Sequence, residues 1–218
     1  MKEAIIIGAT GLVGKELLRE SLADPYFDKV RIFVRRNSGI DHPKLVEEVV
    51  DFDDIEKWKD KIKGDILFSA LGTTRKKAGS KKIQYKVDYS YQFNVAKAAS
   101  ENGVPDYVLI SAPGASPDSI MFYSHLKGEL DRDVKALPFS RIIYIKPSIL
   151  SGEREDERKG EKIGLKIAGL FQEVPLLKKY RPIEGNTVAK AMINASKKEK
   201  TERLEEYKLD DLFFLAEG

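Results

Sequence analysis

A chain of 218 residues that is 42% hydrophobic can bury a substantial core, and it is read as one domain because no linker-like stretch divides it. Lysine and arginine number 38 against 35 aspartates and glutamates, and the net charge of +3 is too small to mark a nucleic-acid partner. The absence of cysteine excludes disulfides, thiolate metal ligands and a cysteine nucleophile. With no leader pattern and no apolar stretch near about 18 residues, a cytoplasmic protein without a membrane span is expected.

The chain opens on the apolar run Ala4-Ile5-Ile6-Ile7, a predicted buried strand, and passes through Gly8-Ala9-Thr10-Gly11-Leu12-Val13-Gly14 into the helix-like Lys15-Glu16-Leu17-Leu18. Glycines between a strand and a helix allow a tight turn, let the backbone approach phosphate closely and permit close helix–strand packing. The helix N-terminus then offers free N–H groups and its dipole to an anion. Gly8, Thr10, Gly11, Leu12, Val13 and Gly14 are therefore predicted to cradle a dinucleotide pyrophosphate, against the plainer reading of a structural turn. The second strand, Val30 to Val34, ends at Arg35-Arg36, about 20 residues after the last glycine, where an NAD-preferring site carries an acid. Two guanidiniums there can grip a 2′-phosphate in bidentate fashion, so NADP(H) is expected over NAD(H). The competing reading is two solvated charges opening a loop, in a chain that is 33% charged.

Leu45 to Val50 is a third apolar run and leads to Asp51-Phe52-Asp53. Asp65 to Leu71 is a fourth, closed by Gly72-Thr73-Thr74. A helix is predicted over Tyr89 to Glu101, with Asn102-Gly103 as its stop, before a fifth strand at Tyr107 to Ile110 and a sixth at Arg141 to Ile145. Such alternation predicts an α/β fold with a doubly wound parallel sheet, whose ligands sit at the C-terminal ends of the strands.

Candidate catalytic residues follow the fifth strand. Ser111 stands at its end, and Tyr123 and Lys127, four apart in the next helix-like segment, share one helical face. A phenol is a poor acid–base catalyst near neutrality unless a neighbouring ammonium favours the phenolate. Tyr123 is thus the expected proton donor, with Lys127 assisting it and holding the nicotinamide ribose, and Ser111 hydrogen-bonding the substrate oxygen. Taken alone, a tyrosine and a lysine at this spacing are also a common surface pair.

Together, Gly8 to Gly14, Ala70-Leu71-Gly72-Thr73-Thr74, Val87-Asp88-Tyr89, Leu109-Ile110-Ser111 with Gly114-Ala115, and Tyr123 to Lys127 with Gly128-Glu129 resemble an atypical short-chain dehydrogenase/reductase. Within that group they resemble the Tat-interacting tumour-suppressor oxidoreductases and their bacterial relatives. The resemblance implies a Rossmann-like domain binding NADPH, with Leu71, Gly72 and Thr73 at the cofactor and Ser111, Tyr123 and Lys127 as a serine–tyrosine–lysine triad. It implies that Phe52 and Asp53 lie where relatives contact adenine, against the plainer reading of a solvated strand end. It also implies that Lys146-Pro147-Ser148-Ile149-Leu150 forms a turn against the nicotinamide, making Pro147 a cofactor contact. Arg181-Pro182-Ile183 and Thr187 to Met192 resemble the C-terminal motif of the group, so a short substrate-side extension is expected, mainly within 148–186. Asp88 stands where many relatives have an asparagine that completes a catalytic tetrad, which puts a proton relay through it in doubt.

The expected function is NADP(H)-dependent oxidation or reduction of a small carbonyl or alcohol. The alternative is an NADPH-binding sensing or regulatory protein that acts through protein partners, and a sugar-nucleotide epimerase is disfavoured because the chain after Pro147 is short for a large substrate domain. The loop residues Arg75-Lys76-Lys77 and Lys81-Lys82 could receive an anion or simply be solvated. Tyr85, Tyr89, Tyr91 and Phe93 are read as packing aromatics rather than a binding surface. His42 and His125 show no ligand spacing, so no metal is expected. The charged run Glu153 to Arg158 is expected beside a substrate lid reaching Phe171.

Overall fold

In the computed structural model residues 2–151 and 181–218 are described. The Glu153 to Arg158 run, the lid expected up to Phe171 and most of the expected substrate-side extension lie outside the described residues. The six apolar runs become strands β1 (Glu3–Ile7), β2 (Lys29–Val34), β3 (Leu45–Val49), β4 (Ile66–Ser69), β5 (Asp106–Ile110) and β6 (Arg141–Lys146). After them come the two-residue strands β7 (Leu150–Ser151) and β8 (Ile183–Glu184), paired with each other, and then β9 (Leu204–Lys208). The main sheet has seven strands in the order β3-β2-β1-β4-β5-β6-β9, and every neighbouring pair is parallel.

Parallel strands covered on both faces read as continuous apolar runs, and alternate residues divide between two cores. Ile6, Ile32, Phe68 and Ile143 face one side, against α1 (Leu12–Ala23), α6 (Gly185–Lys197) and α7 (Asp211–Glu217). Ile5, Ile7, Leu67 and Tyr107 face the other, against α4 (Tyr91–Glu101) and α5 (Phe122–Lys135). Most of these side chains are fully buried, each stabilising the fold by roughly 1.5–3 kcal/mol. Two short helices, α2 (Arg75–Ala78) and α3 (Lys81–Tyr85), and a π-helical segment over Lys86–Ser90 lead into α4. The helix expected from Tyr89 therefore has a π-helical first turn, which its residues do not signal.

β9 was not expected, because Leu204-Glu205-Glu206-Tyr207-Lys208 reads as polar. Arg141 of β6 explains its place. Its guanidinium grips Glu205 with two bonds, Nε to Oε1 at 2.7 Å and Nη2 to Oε2 at 2.8 Å, and both side chains are buried. The same guanidinium donates to the carbonyls of Ala195, Ser196 and Lys198, capping the end of α6. At its other end α6 is pressed on the start of α1, where a Cβ on Gly185 would stand 2.7 Å from the carbonyl oxygen of Leu12.

Candidate active site

The register aligns the strand exits. Ile7 pairs with Phe33 on one side and with Ser69 on the other, so the glycine turn, Arg35 and the Ala70-Leu71 exit leave the sheet at one level. In the turn, Gly11 N–H donates to the carbonyl of Gly8 at 2.9 Å. Gly8 has φ +82, and a Cβ on it would stand 2.4 Å from the Leu71 nitrogen; one on Gly14 would stand 1.9 Å from the Gly8 carbonyl oxygen. Both positions require glycine. They set the shape of the turn from behind and do not line the cleft.

The cleft in front of the turn has a volume of about 590 Å³, the scale of a small-molecule site. Thr10, Gly11, Leu12 and Val13 form one wall, and Leu71, Gly72 and Thr73 form the next. Tyr123 and Lys127 of α5 complete it, together with Asp88 of the π-helical segment. The start of α1 has no side-chain cap and no acid in its first turn, so its free N–H groups face this cleft as an anion site does. The residues present thus fit a dinucleotide's phosphates: an uncapped helix end, a turn that puts Gly11 and the Thr10 hydroxyl at the cleft, and Lys15 beside it.

Tyr123 is about half exposed and lies in the first turn of α5, while Lys127, one turn on, is buried. The Lys127 ammonium donates to the Ile110 carbonyl at 2.9 Å, which fixes it at the end of β5. Asp88 is 1% exposed, and its Oδ1 accepts the Thr73 N–H at 2.6 Å. Burial pushes the Asp88 carboxyl above its ordinary pKa, and the Lys127 charge and the Thr73 N–H act against that rise.

Ser111 is placed differently from the expectation. It is buried and absent from the cleft lining, because its hydroxyl donates to Oδ2 of Asp131 at 2.7 Å. Asp131 lies one turn beyond Lys127 on α5, and its carboxyl is raised by burial, opposed by Ser111 and by the charges of Lys146 and Lys127. Arg35 and Arg36 are exposed at the exit of β2, outside the lining of this cleft, with no ion pair among the described residues. Phe52 is buried, in ring contact with Trp58 and Tyr91, and lies outside the lining. Asp53 is exposed and accepts from Tyr91 and pairs with Lys86. Pro147 is buried outside the lining, although Leu150, three residues on, lines it. The aromatics before and in α4 pack as expected: Tyr89 stacks on Phe93 and gives its hydroxyl to Asp133 of α5.

Sequence reasoning missed Lys15 and Gln84 in the lining, whereas Lys77 belongs to the basic loop offered there as an anion site and Ile110 to the motif at the end of β5. Lys15 directly follows the last glycine in the first helical turn, a position from which a side chain can reach the turn; Gln84 carries no such signal.

A family model described as NAD(P)H-binding matches residues 8–136. The mitochondrial protein FMP52 of Saccharomyces cerevisiae is 36% identical over 210 residues, covering 91% of this chain and 90% of that protein. Its counterpart in Emericella nidulans is 34% identical over 206 residues, covering 91% and 88%, and that of Eremothecium gossypii is 41% identical over 162 residues, covering 72% and 70%. These relatives are mitochondrial by name, which overturns the expectation of a cytoplasmic protein. That expectation rested on absences in the sequence, and an absence does not assign a compartment. Among solved structures, the Bordetella bronchiseptica enzyme WbmH in complex with NAD+ superposes with a TM-score of 0.69 at 16% identity, covering 95% of this chain and 75% of that one. The UDP-glucose 4-epimerase of Thermotoga maritima gives 0.67 at 13%, covering 99% and 81%. Both confirm the doubly wound, Rossmann-like sheet. With the glycine turn, the cleft and the family match in agreement, the chain belongs to the NAD(P)H-binding family, as a Rossmann-like protein of the atypical short-chain dehydrogenase/reductase kind and a relative of the FMP52 proteins.

Proposed function

We propose that this protein is an NADP(H)-dependent oxidoreductase that interconverts a small carbonyl and its alcohol. The observation that carries the reading is that Tyr123 and Lys127 share one cleft with the glycine turn, the tyrosine open to a substrate and the lysine buried one helical turn on. The dinucleotide, when bound, supplies or accepts a hydride. Tyr123 gives a proton to the substrate oxygen in reduction and takes it back in oxidation. Lys127, held by the Ile110 carbonyl, is the residue to hold the nicotinamide ribose and to assist the phenol. Ser111 supports this arrangement through Asp131 rather than by touching substrate, which revises the triad role that the resemblance implies. Arg35 and Arg36, exposed at the β2 exit and without ion pairs among the described residues, support NADP(H) over NAD(H). The motifs around Gly72 and Tyr123 support a place near the Tat-interacting tumour-suppressor oxidoreductases within the family.

A panel of aldehydes, ketones and quinones tests the reading. At least one compound is expected to drive NADPH oxidation, and Tyr123→Phe is expected to lower kcat about 100-fold while leaving cofactor affinity unchanged. Turnover of that compound by Tyr123→Phe at the unmutated rate would refute the proton-donor role. Tight NADPH binding with no turnover of any compound favours instead a sensing protein that acts through partners.

A further inference from the structure

Asp88 is a buried carboxylate that the proposed reaction does not use. Placing such a group in a protein interior is costly unless hydrogen bonds and opposite charge compensate it. Three features hold it. Its Oδ1 accepts the Thr73 N–H at 2.6 Å, Gln84 Nε2 approaches Oδ2 at 3.5 Å, and the Lys127 charge acts on it from α5. Its backbone is fixed as well. The π-helical segment leaves the Asp88 carbonyl to the side chain of Gln92, whose Nε2 donates to it at 2.7 Å, and Gln92 Oε1 in turn accepts the Ser69 hydroxyl at 2.7 Å. A buried polar chain thus runs from the end of β4 to the π-helical segment, and π-helical insertions of this kind cluster at functional sites.

The other end of the latch is the Gly72-Thr73 turn, which lines the cleft directly after β4. Gly72 closes on the carboxylate, since a Cβ there would stand 3.6 Å from Asp88 Oδ1. Exits of strands carry ligand sites in this fold, and their backbone needs an outside anchor because no ladder holds it. Asp88 provides that anchor and lines the same cleft as the buried lysine of α5.

We propose that Asp88 is a positioning residue of the nucleotide site, whose side-chain oxygen latches the Gly72-Thr73 turn into the shape that receives the cofactor. The proposal rests on the cleft being the nucleotide site, and it gives Asp88 a role in place of a proton relay.

The test uses the full chain and NADPH as the probe. Hydrogen exchange without cofactor reads the latch itself: the backbone around Thr73 is expected to be protected in the unmutated protein and in Asp88→Asn, which keeps an acceptor oxygen, and to exchange rapidly in Asp88→Ala. With NADPH, Asp88→Ala is expected to bind about tenfold more weakly or worse, with reduced nicotinamide emission at saturation, while Asp88→Asn stays within about threefold of the unmutated protein. A merely structural role would lower the melting temperature without changing emission at saturation. Should Asp88→Ala fail to fold, Asp88→Ser replaces it, its hydroxyl being too short to reach Thr73. Equal exchange at Thr73 in the short variant and the unmutated protein overturns the latch. Failure of the unmutated protein to bind NADPH overturns the reading of the cleft instead, and the exchange result still decides the latch.

Discussion

Ser111 gives its hydroxyl to Asp131, and this single bond turns the serine at the end of β5 away from the cleft and into the protein. Asp131 Oδ1 has no partner of its own, so the serine supplies the one short hydrogen bond its carboxylate receives among the described residues. Ser111→Ala is therefore expected to destabilise the fold by about 1–3 kcal/mol by leaving that buried carboxylate with only its ion pair to Lys146 at 3.5 Å. Thermal melts should show this, with NADPH affinity unchanged and turnover lowered less than about tenfold, well short of the loss for a positioned acid. Abolished turnover at unchanged stability would mean that the hydroxyl swings to the substrate.

Lys127 acts on two buried carboxyls at once, Asp88 and Asp131. Lys127→Met removes that charge from both, leaving Asp131 its ion pair with Lys146, and is expected to cost about 1–3 kcal/mol of stability at neutral pH. The sign of its pH dependence follows from the raised carboxyls. A carboxyl whose folded pKa lies above its unfolded value destabilises the fold above that range and ceases to do so once protonated in both states. The stability gap between Lys127→Met and the unmutated protein should thus narrow as pH falls from neutral into the carboxyl range, measured by denaturant unfolding across pH. A gap that widens in acid contradicts the charge pairing.

Arg35 and Arg36 can be separated from the chemistry. Replacing both by alanine is expected to remove about 1.5–3 kcal/mol of NADPH binding while leaving NADH binding unchanged. Isothermal titration of the two cofactors decides it, and equal affinities in the unmutated protein would remove the basis for NADP(H) preference.

Arg141 and Glu205 form the buried ion pair that holds β9 on the sheet. Burial raises the Glu205 carboxyl, but the hydrogen bonds and charge of Arg141 outweigh it, and the net direction is down. A depressed carboxyl contributes stability that is present above its unfolded pKa and is lost as pH falls through the folded value. Arg141→Met should cost about 3–5 kcal/mol near neutrality, and the difference should shrink in acid, as seen in urea titrations at several pH values.

The strands β1, β4, β5 and β6 were legible because parallel strands covered on both faces leave unbroken apolar runs such as Ala4 to Ile7 and Tyr107 to Ile110. β9 was not, because an edge strand with Glu205 and Glu206 reads as surface until Arg141, distant in sequence, supplies the partner. The glycine turn and the Tyr123-Lys127 spacing were legible as local geometry: one is a strand–turn–helix, the other one turn of helix. The direction of the Ser111 side chain was not, since a strand end fixes where a residue stands and not which neighbour its hydroxyl chooses. Gln84 and the π-helical setting of Asp88 were hidden for a related reason. Backbone inserted into a helix leaves no residue pattern of its own in Lys86 to Ser90.

The contact between Gly185 and the Leu12 carbonyl has a consequence for anyone who would trim or rewire this chain. Helix α1, which presents the turn to the cleft, is walled by α6, and Asn186 reinforces the contact through a bond to Glu20 at 2.9 Å. A truncation that stops after β6 would keep every glycine of the turn and both residues of the tyrosine–lysine pair, yet expose the apolar back of α1. Fragments that carry the whole cofactor motif should therefore be insoluble or unstable on their own, and a split-protein or circularly permuted version would need its halves to reunite before the motif could work.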